Sequence, residues 1–272
     1  MNSVRLHGIT LNYDSSESQS VELVRGACEK GLAVIRKCWG LEPPPGCAVY
    51  IMTSWLRFVF QSAPWHRRVL LALFFPLWCF KAMKVWKSAG GWVQGYGQAP
   101  AVGIKPPRLM ASADRSVGDR LFVRDVDTED EVREVTCHEL THACSNHLRL
   151  PTWLHEGLAM VSVDMLRGRP SVRSDTLDLI AAQSVKASLS GYPRSSLKDA
   201  DAWICLYARG YWLTRYITDE HPELFPELLA RRRPHRDIEE ETASAFGLDH
   251  EEFWSGIDEV LVAHFKGERG TE

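Results

Sequence analysis

Two histidines four residues apart, His138 and His142, carry the clearest chemistry in this sequence. An α-helix turns once in about 3.6 residues, so both imidazoles point the same way and can reach one ion. Residue type and spacing suit zinc. Glu139, beside the first histidine, stands at the rim of the same face, where a carboxylate can take a proton from a water at the ion. Thirteen residues separate His142 from Glu156. That gap lets one helix end, the chain turn, and a carboxylate return as third ligand. Three protein ligands leave zinc one open position, which a catalytic site needs and a structural site lacks.

The elements that must position these side chains are two successive helices. Thr128 and Glu131 have the form of a capping box, and Val132, Val135, Leu140 and Ala143 then recur at helical spacing to about Leu148. Pro151 suits the first turn of a second helix, with Glu156 in its second turn. His147 lies five residues past His142, off the clamp face, and His155 adjoins the better-placed Glu156. Both read as surface histidines. Cys137 and Cys144 flank the clamp but are rotated away from it, as small buried apolar residues would be.

The His138-Glu139-Leu140-Thr141-His142 clamp, together with Pro151-Thr152-Trp153-Leu154-His155-Glu156-Gly157-Leu158-Ala159, resembles the gluzincin branch of the zincin metallopeptidases, in particular the peptidase MA-like proteins. The resemblance covers about thirty residues, from roughly Val132 to Val161. It implies His138, His142 and Glu156 as zinc ligands, Glu139 as catalytic base, and a peptide or protein substrate. The metzincin pattern is not met, because Ser145 and Leu148 stand where that group has a glycine and a third histidine. The segment Tyr207-Ala208-Arg209-Gly210-Tyr211 is similar to the tyrosine-bearing helix that follows the third ligand in the family. One phenol, Tyr207 by motif position or alternatively Tyr211, would then donate a hydrogen bond to the oxyanion of a tetrahedral intermediate. The family also places an edge strand beside the zinc helix to hold substrate backbone, and Ala101 to Lys105 or Leu121 to Arg124 is expected in that role.

The remainder of the chain is that of a globular protein. With 272 residues, 45% of them apolar, it can bury a sizeable core. A net charge of -3 gives no reason to expect nucleic acid, and Arg231 to Arg236 reads as a solvated helix end and turn. Seven cysteines without a regular framework fit a reducing compartment. No basic start followed by an apolar stretch occurs in the first twenty residues, so a cytoplasmic location is expected.

Val4 to Tyr13 reads as a strand pair. Val21, Val24, Cys28, Leu32, Ile35 and Trp39 form a helical stripe ending near Gly40, and Ala48 to Met52 reads as a strand. Gly90 to Gly97 suggests a flexible connection or a strand bend, without the residues of a nucleotide loop. Helices are expected at Leu177 to Val185, Asp201 to Thr218, Leu224 to Arg233 and Glu251 to Phe265, with a loop at Ser188 to Lys198.

Val69 to Phe80 is an unbroken apolar run between Arg67, Arg68 and Lys81, Lys84, Lys87. It is too short to span a bilayer upright, which takes about twenty residues. A buried helix, peripheral contact with a membrane surface, and a tilted span that includes the lysines are the three readings it allows.

These observations predict an α+β, zincin-like fold: an N-terminal α/β portion over residues 1–127 with an apolar helical insertion at about 65–88, and a zinc-helix and helical C-terminal portion over residues 128–272, together forming one catalytic domain. The activity expected is a zinc metallopeptidase, acting as an endopeptidase because no residue set for gripping a free peptide amine is present. The alternative is a catalytically silent zinc-containing binding or scaffolding protein at a membrane surface.

Overall fold

The computed structural model describes residues 1–75, 86–87, 89–96, 99–114, 116, 118–182 and 200–267. It is a mixed α/β structure, mostly helical, with one five-stranded sheet. Contacts divide it into two compact units. The first comprises residues 1–116, 124–146 and 165–168, and the second residues 117–123, 147–164 and 169–272. Among the described residues no helix is long and apolar enough to cross a membrane.

The first unit holds the sheet, in the order β1-β2-β3-β5-β4. β1 (Asn2–Leu6) and β2 (Ile9–Tyr13) form the expected hairpin, turned at His7 and Gly8, which both take positive φ. β3 (Ala48–Ile51) runs parallel to β2 and to β5 (Ala99–Ile104), and β4 (Gly91–Tyr96) closes the sheet antiparallel to β5. α1 (Val21–Trp39) carries its predicted stripe: Val21, Val24, Cys28, Leu32, Ile35 and Trp39 are all buried. Each such side chain contributes roughly 1.5–3 kcal/mol of hydrophobic stabilisation. Gly40 ends the helix at φ 65°, and its N–H is bonded to the Arg36 carbonyl, a left-handed cap that a Cβ would strain.

Beyond β3 come α2 (Trp55–Ser62), α3 (Trp65–Leu73) and the short α4 (Pro107–Met110). None of the residues of α3 is buried. The buried-helix reading of the apolar run is therefore overturned over Val69 to Leu73, while Pro76 to Phe80, Lys81 and Lys84 lie outside the described residues.

The second unit is helical. It comprises α5 (Gly118–Leu121), α7 (Thr152–Arg167, whose last residues belong to the first unit), α8 (Thr176–Ala182), α9 (Ala200–Glu220), α10 (Phe225–Leu228), α11 (His235–Ala245) and α12 (His250–Gly267). Leu121 to Arg124 is not a strand. Leu121 ends α5, and Phe122 makes an isolated bridge to Val172. Its β-forming residues find no continuous partner. The helix expected at Leu224 to Arg233 is confined to Phe225–Leu228 after a 3-10 turn, Pro222–Leu224, and α11 was not anticipated. Residues 183–185 and the expected loop Ser188 to Lys198 lie outside the described residues.

Candidate metal centre

His138, Glu139 and His142 stand on α6 (Thr128–Ser145), which belongs to the first unit. Its cap is not Thr128. Asp127 is the N-cap, and its carboxylate accepts from the Asp130 N–H at 2.8 Å. Glu129, Asp130 and Glu131 then crowd the first turn, where the helix dipole favours negative charge. Val132, Cys137, Leu140, Ala143 and Cys144 are fully buried, so the face opposite the histidines is apolar. The buried hydroxyls of Thr136, Thr141 and Ser145 donate to the carbonyls of Val132, Cys137 and Thr141, which satisfies them inside the helix. Burial pushes the Cys137 thiol up to about 12 and raises that of Cys144, as expected of inert core cysteines.

The two imidazoles meet edge to face, with ring centroids 4.6 Å apart and planes at 89°. Their Nε2 atoms are 3.0 Å apart, within hydrogen-bond distance and close to the roughly 3.3 Å that separates two nitrogens on a tetrahedral zinc. Glu156, on the second turn of α7, is buried. One ligand atom from each of His138, His142 and Glu156 lies within 4.8 Å of the others, so the three form a group that could hold a metal ion. Among the described residues no other group of three His, Cys, Asp or Glu side chains does so. His147 is exposed, and neither it nor His155 belongs to the group.

Two features of the first unit set the surroundings of Glu139. Gly91, at the start of β4, would place a Cβ 2.5 Å from the Glu139 Cγ and 2.9 Å from its Oε1, so only a glycine leaves room for this carboxylate. Four residues on, Gly95 abuts the Asn146 side chain. The strand therefore follows the second half of α6, and β4 is an edge of the sheet. This corrects both expectations for the edge strand. Ala101 to Lys105 overlaps β5, which is paired on both sides, and Leu121 to Arg124 is not a strand. The segment read as a glycine-rich connection takes that position.

The second unit fixes α7 differently. A Cβ on Gly157 would overlap the Thr214 hydroxyl and the Gly210 carbonyl, and one on Gly210 would come within 2.6 Å of the Trp153 carbonyl. The backbones of α7 and α9 thus touch beside Glu156. Farther along, the buried Asp164 carboxylate accepts from the Ser171 N–H at 2.7 Å, the Ser171 hydroxyl at 2.6 Å and the Tyr211 hydroxyl at 2.6 Å. Burial raises the pKa of Asp164, a shift opposed by these donors, and raises that of Tyr211. Tyr211 is therefore committed to Asp164. Tyr207 is half-buried and stacks on Trp203 with centroids 5.4 Å apart. The contributions of Gly91, Gly157, Gly210 and Asp164 escaped sequence reasoning. Glycine inside a helix costs about 1 kcal/mol, and that cost was the available signal at positions 157 and 210.

A scan of protein-family models matched no family, and a search of curated proteins returned no match.

Proposed function

We propose that this chain is a zinc-dependent peptide-bond hydrolase with a zincin-like fold of the gluzincin type. The observation that carries the reading is the convergence of His138, His142 and Glu156 within 4.8 Å, with Glu139 next to the first histidine. Two neutral nitrogens and one carboxylate are a donor set suited to Zn2+ in a site that keeps one position open. Zinc, when bound there, would supply Lewis acidity and lower the pKa of a water molecule.

The chain's own groups would do the rest. Glu139 takes the proton of the attacking water and returns it to the leaving amine, so no covalent intermediate with the protein forms. Gly91 leaves the space in which that carboxylate stands, and the edge of β4, which pairs with no strand among the described residues, would offer main-chain groups to an extended peptide of any sequence. Tyr207 is given the oxyanion-donor role on motif position, Tyr211 donating to Asp164.

The test is Glu139→Gln. Zinc stoichiometry stays at the wild-type level, whereas cleavage of a proteome-derived peptide library falls by roughly 10²–10⁴-fold. A variant that still cleaves at the wild-type rate removes the mechanism. A second reading, a zinc-holding binding protein without turnover, draws on the exposed apolar residues of α3. It predicts a zinc-loaded wild-type chain inert to every peptide in the same library.

A further inference from the structure

We propose that the outward face of α3 docks on an anionic bilayer surface, independently of whether the metal centre turns over. In a water-soluble helix the apolar side turns inward. Here the arrangement is reversed. Trp65 is 76% exposed, Leu73 69%, Phe74 54%, Val69 53% and Leu70 46%. At about 100° per residue these five side chains sweep one half of the helix circumference. Leu71, on the other half, is the α3 residue that packs against the core cluster of Met52, Phe58, Val59 and Ala101. Five large apolar side chains, with the exposed His66 among them, share this arc, and an exposed apolar cluster of this kind marks an interaction site.

Charge selects the occupant. No Asp or Glu occurs between Glu42 and Asp114, while eight lysines and arginines fall in that stretch of a chain whose net charge is -3. Three of the eight are committed elsewhere: Arg57 pairs with Asp14, Arg108 with Glu17, and Lys105 is buried with its Nζ on the Trp86 carbonyl. Arg67 and Arg68 remain on α3 and are exposed. Arg67 borders the apolar arc. Arg68 donates to the carbonyls of Ala63 and Gln61, at 2.7 and 3.1 Å, which fixes the guanidinium without neutralising it.

Apolar residues beside uncompensated cations fit the boundary between acyl chains and anionic headgroups, and a tryptophan at the rim suits the same depth. A second copy of the chain is a poorer fit, because a symmetric contact would bring Arg67 and Arg68 towards their own equivalents. Nine residues rise only about 13 Å as a helix, so α3 would lie along the surface and not cross it.

Flotation of the full chain with vesicles tests this. Binding to phosphatidylcholine vesicles containing about 30% phosphatidylserine should exceed binding to pure phosphatidylcholine by roughly tenfold or more. Arg67→Glu should weaken it by roughly tenfold, and high salt should weaken it as well. A Trp65→Ser, Leu73→Ser, Phe74→Ser triple variant should abolish it while retaining wild-type circular dichroism and zinc content. Because these three side chains are already in water, their loss leaves the core intact. The proposal is overturned by absence of vesicle binding, by equal binding of the triple variant, or by a concentration-dependent dimer that the triple variant dissolves.

Discussion

The two helices that carry the candidate ligands are held by different physics. α6, with the histidines, is fixed by shape: an apolar face buried in the first unit, hydroxyls bonded within the helix, and a close approach of α1, tighter than ordinary van der Waals contact but without overlap, where a Cβ on Gly31 would stand 3.3 Å from the Cys137 Cα and 3.5 Å from Leu140. α7, with Glu156, is fixed by backbone contact at Gly157 and Gly210 and by the buried Asp164, Ser171 and Tyr211 bonds. Apolar packing degrades by increments, since neighbours relax into small changes. Backbone contact and buried hydrogen bonds do not, because an added Cβ has nowhere to go and an unsatisfied buried acceptor keeps its full desolvation cost. The histidine pair should therefore tolerate change around it better than the glutamate does.

Gly157→Ala attacks that difference hardest. Its methyl group would strike Thr214 and the Gly210 carbonyl, and chemical denaturation should show a loss of about 3 kcal/mol. Zinc affinity should fall at least tenfold as Glu156 shifts. Tyr211→Phe comes next. Asp164 loses one donor, the expected loss is about 2 kcal/mol, and tighter binding or an unchanged melting temperature would speak against the network.

A pH effect follows on α6. Burial pushes the Glu134 carboxyl up to about 7, with Arg167, whose Nε is 3.4 Å away, opposing the shift. The folded chain then holds a proton that the unfolded chain releases near 4.5. Stability from this group is therefore complete at acid pH and declines as pH rises through that window to about 7. Glu134→Gln should flatten the decline by roughly 1–2 kcal/mol, as read from melting curves at several pH values. Gly31→Ala is the smallest change. Helix propensity gained and a neighbour displaced nearly offset each other, so stability should move by less than about 1 kcal/mol and zinc affinity not at all. Equal damage from Gly31→Ala and Gly157→Ala would erase the contrast between the helices.

Much of the first unit was legible because period and burial agree. The α1 stripe, the hairpin at Val4 to Tyr13 and the strand at Ala48 follow from residue patterns alone. The convergence of the candidate ligands was legible for the same reason: helical spacing aligns His138 with His142, and a proline restarts the chain before Glu156. Glycine defeated the reading twice. At Gly91 and Gly95 it suggested a flexible connection or a bend, whereas it serves a strand paired along its length with β5 and lying against Glu139 and Asn146. At Gly157 it announces close approach without saying to what, and the partner, α9, stands some fifty residues away. Leu121 to Arg124 has strand-forming residues, but strand identity depends on a neighbour, and Phe122 has only Val172.

The central claim is that three side chains share one zinc ion, and X-ray absorption at the zinc edge with titration calorimetry tests it most directly. The wild-type chain should bind one zinc with two imidazoles and one carboxylate in its inner shell at about 2.0–2.2 Å. Glu156→Gln should lower affinity by more than roughly tenfold, while His155→Gln leaves it unchanged. A Glu156→Gln variant with wild-type affinity and an unaltered spectrum would contradict the account.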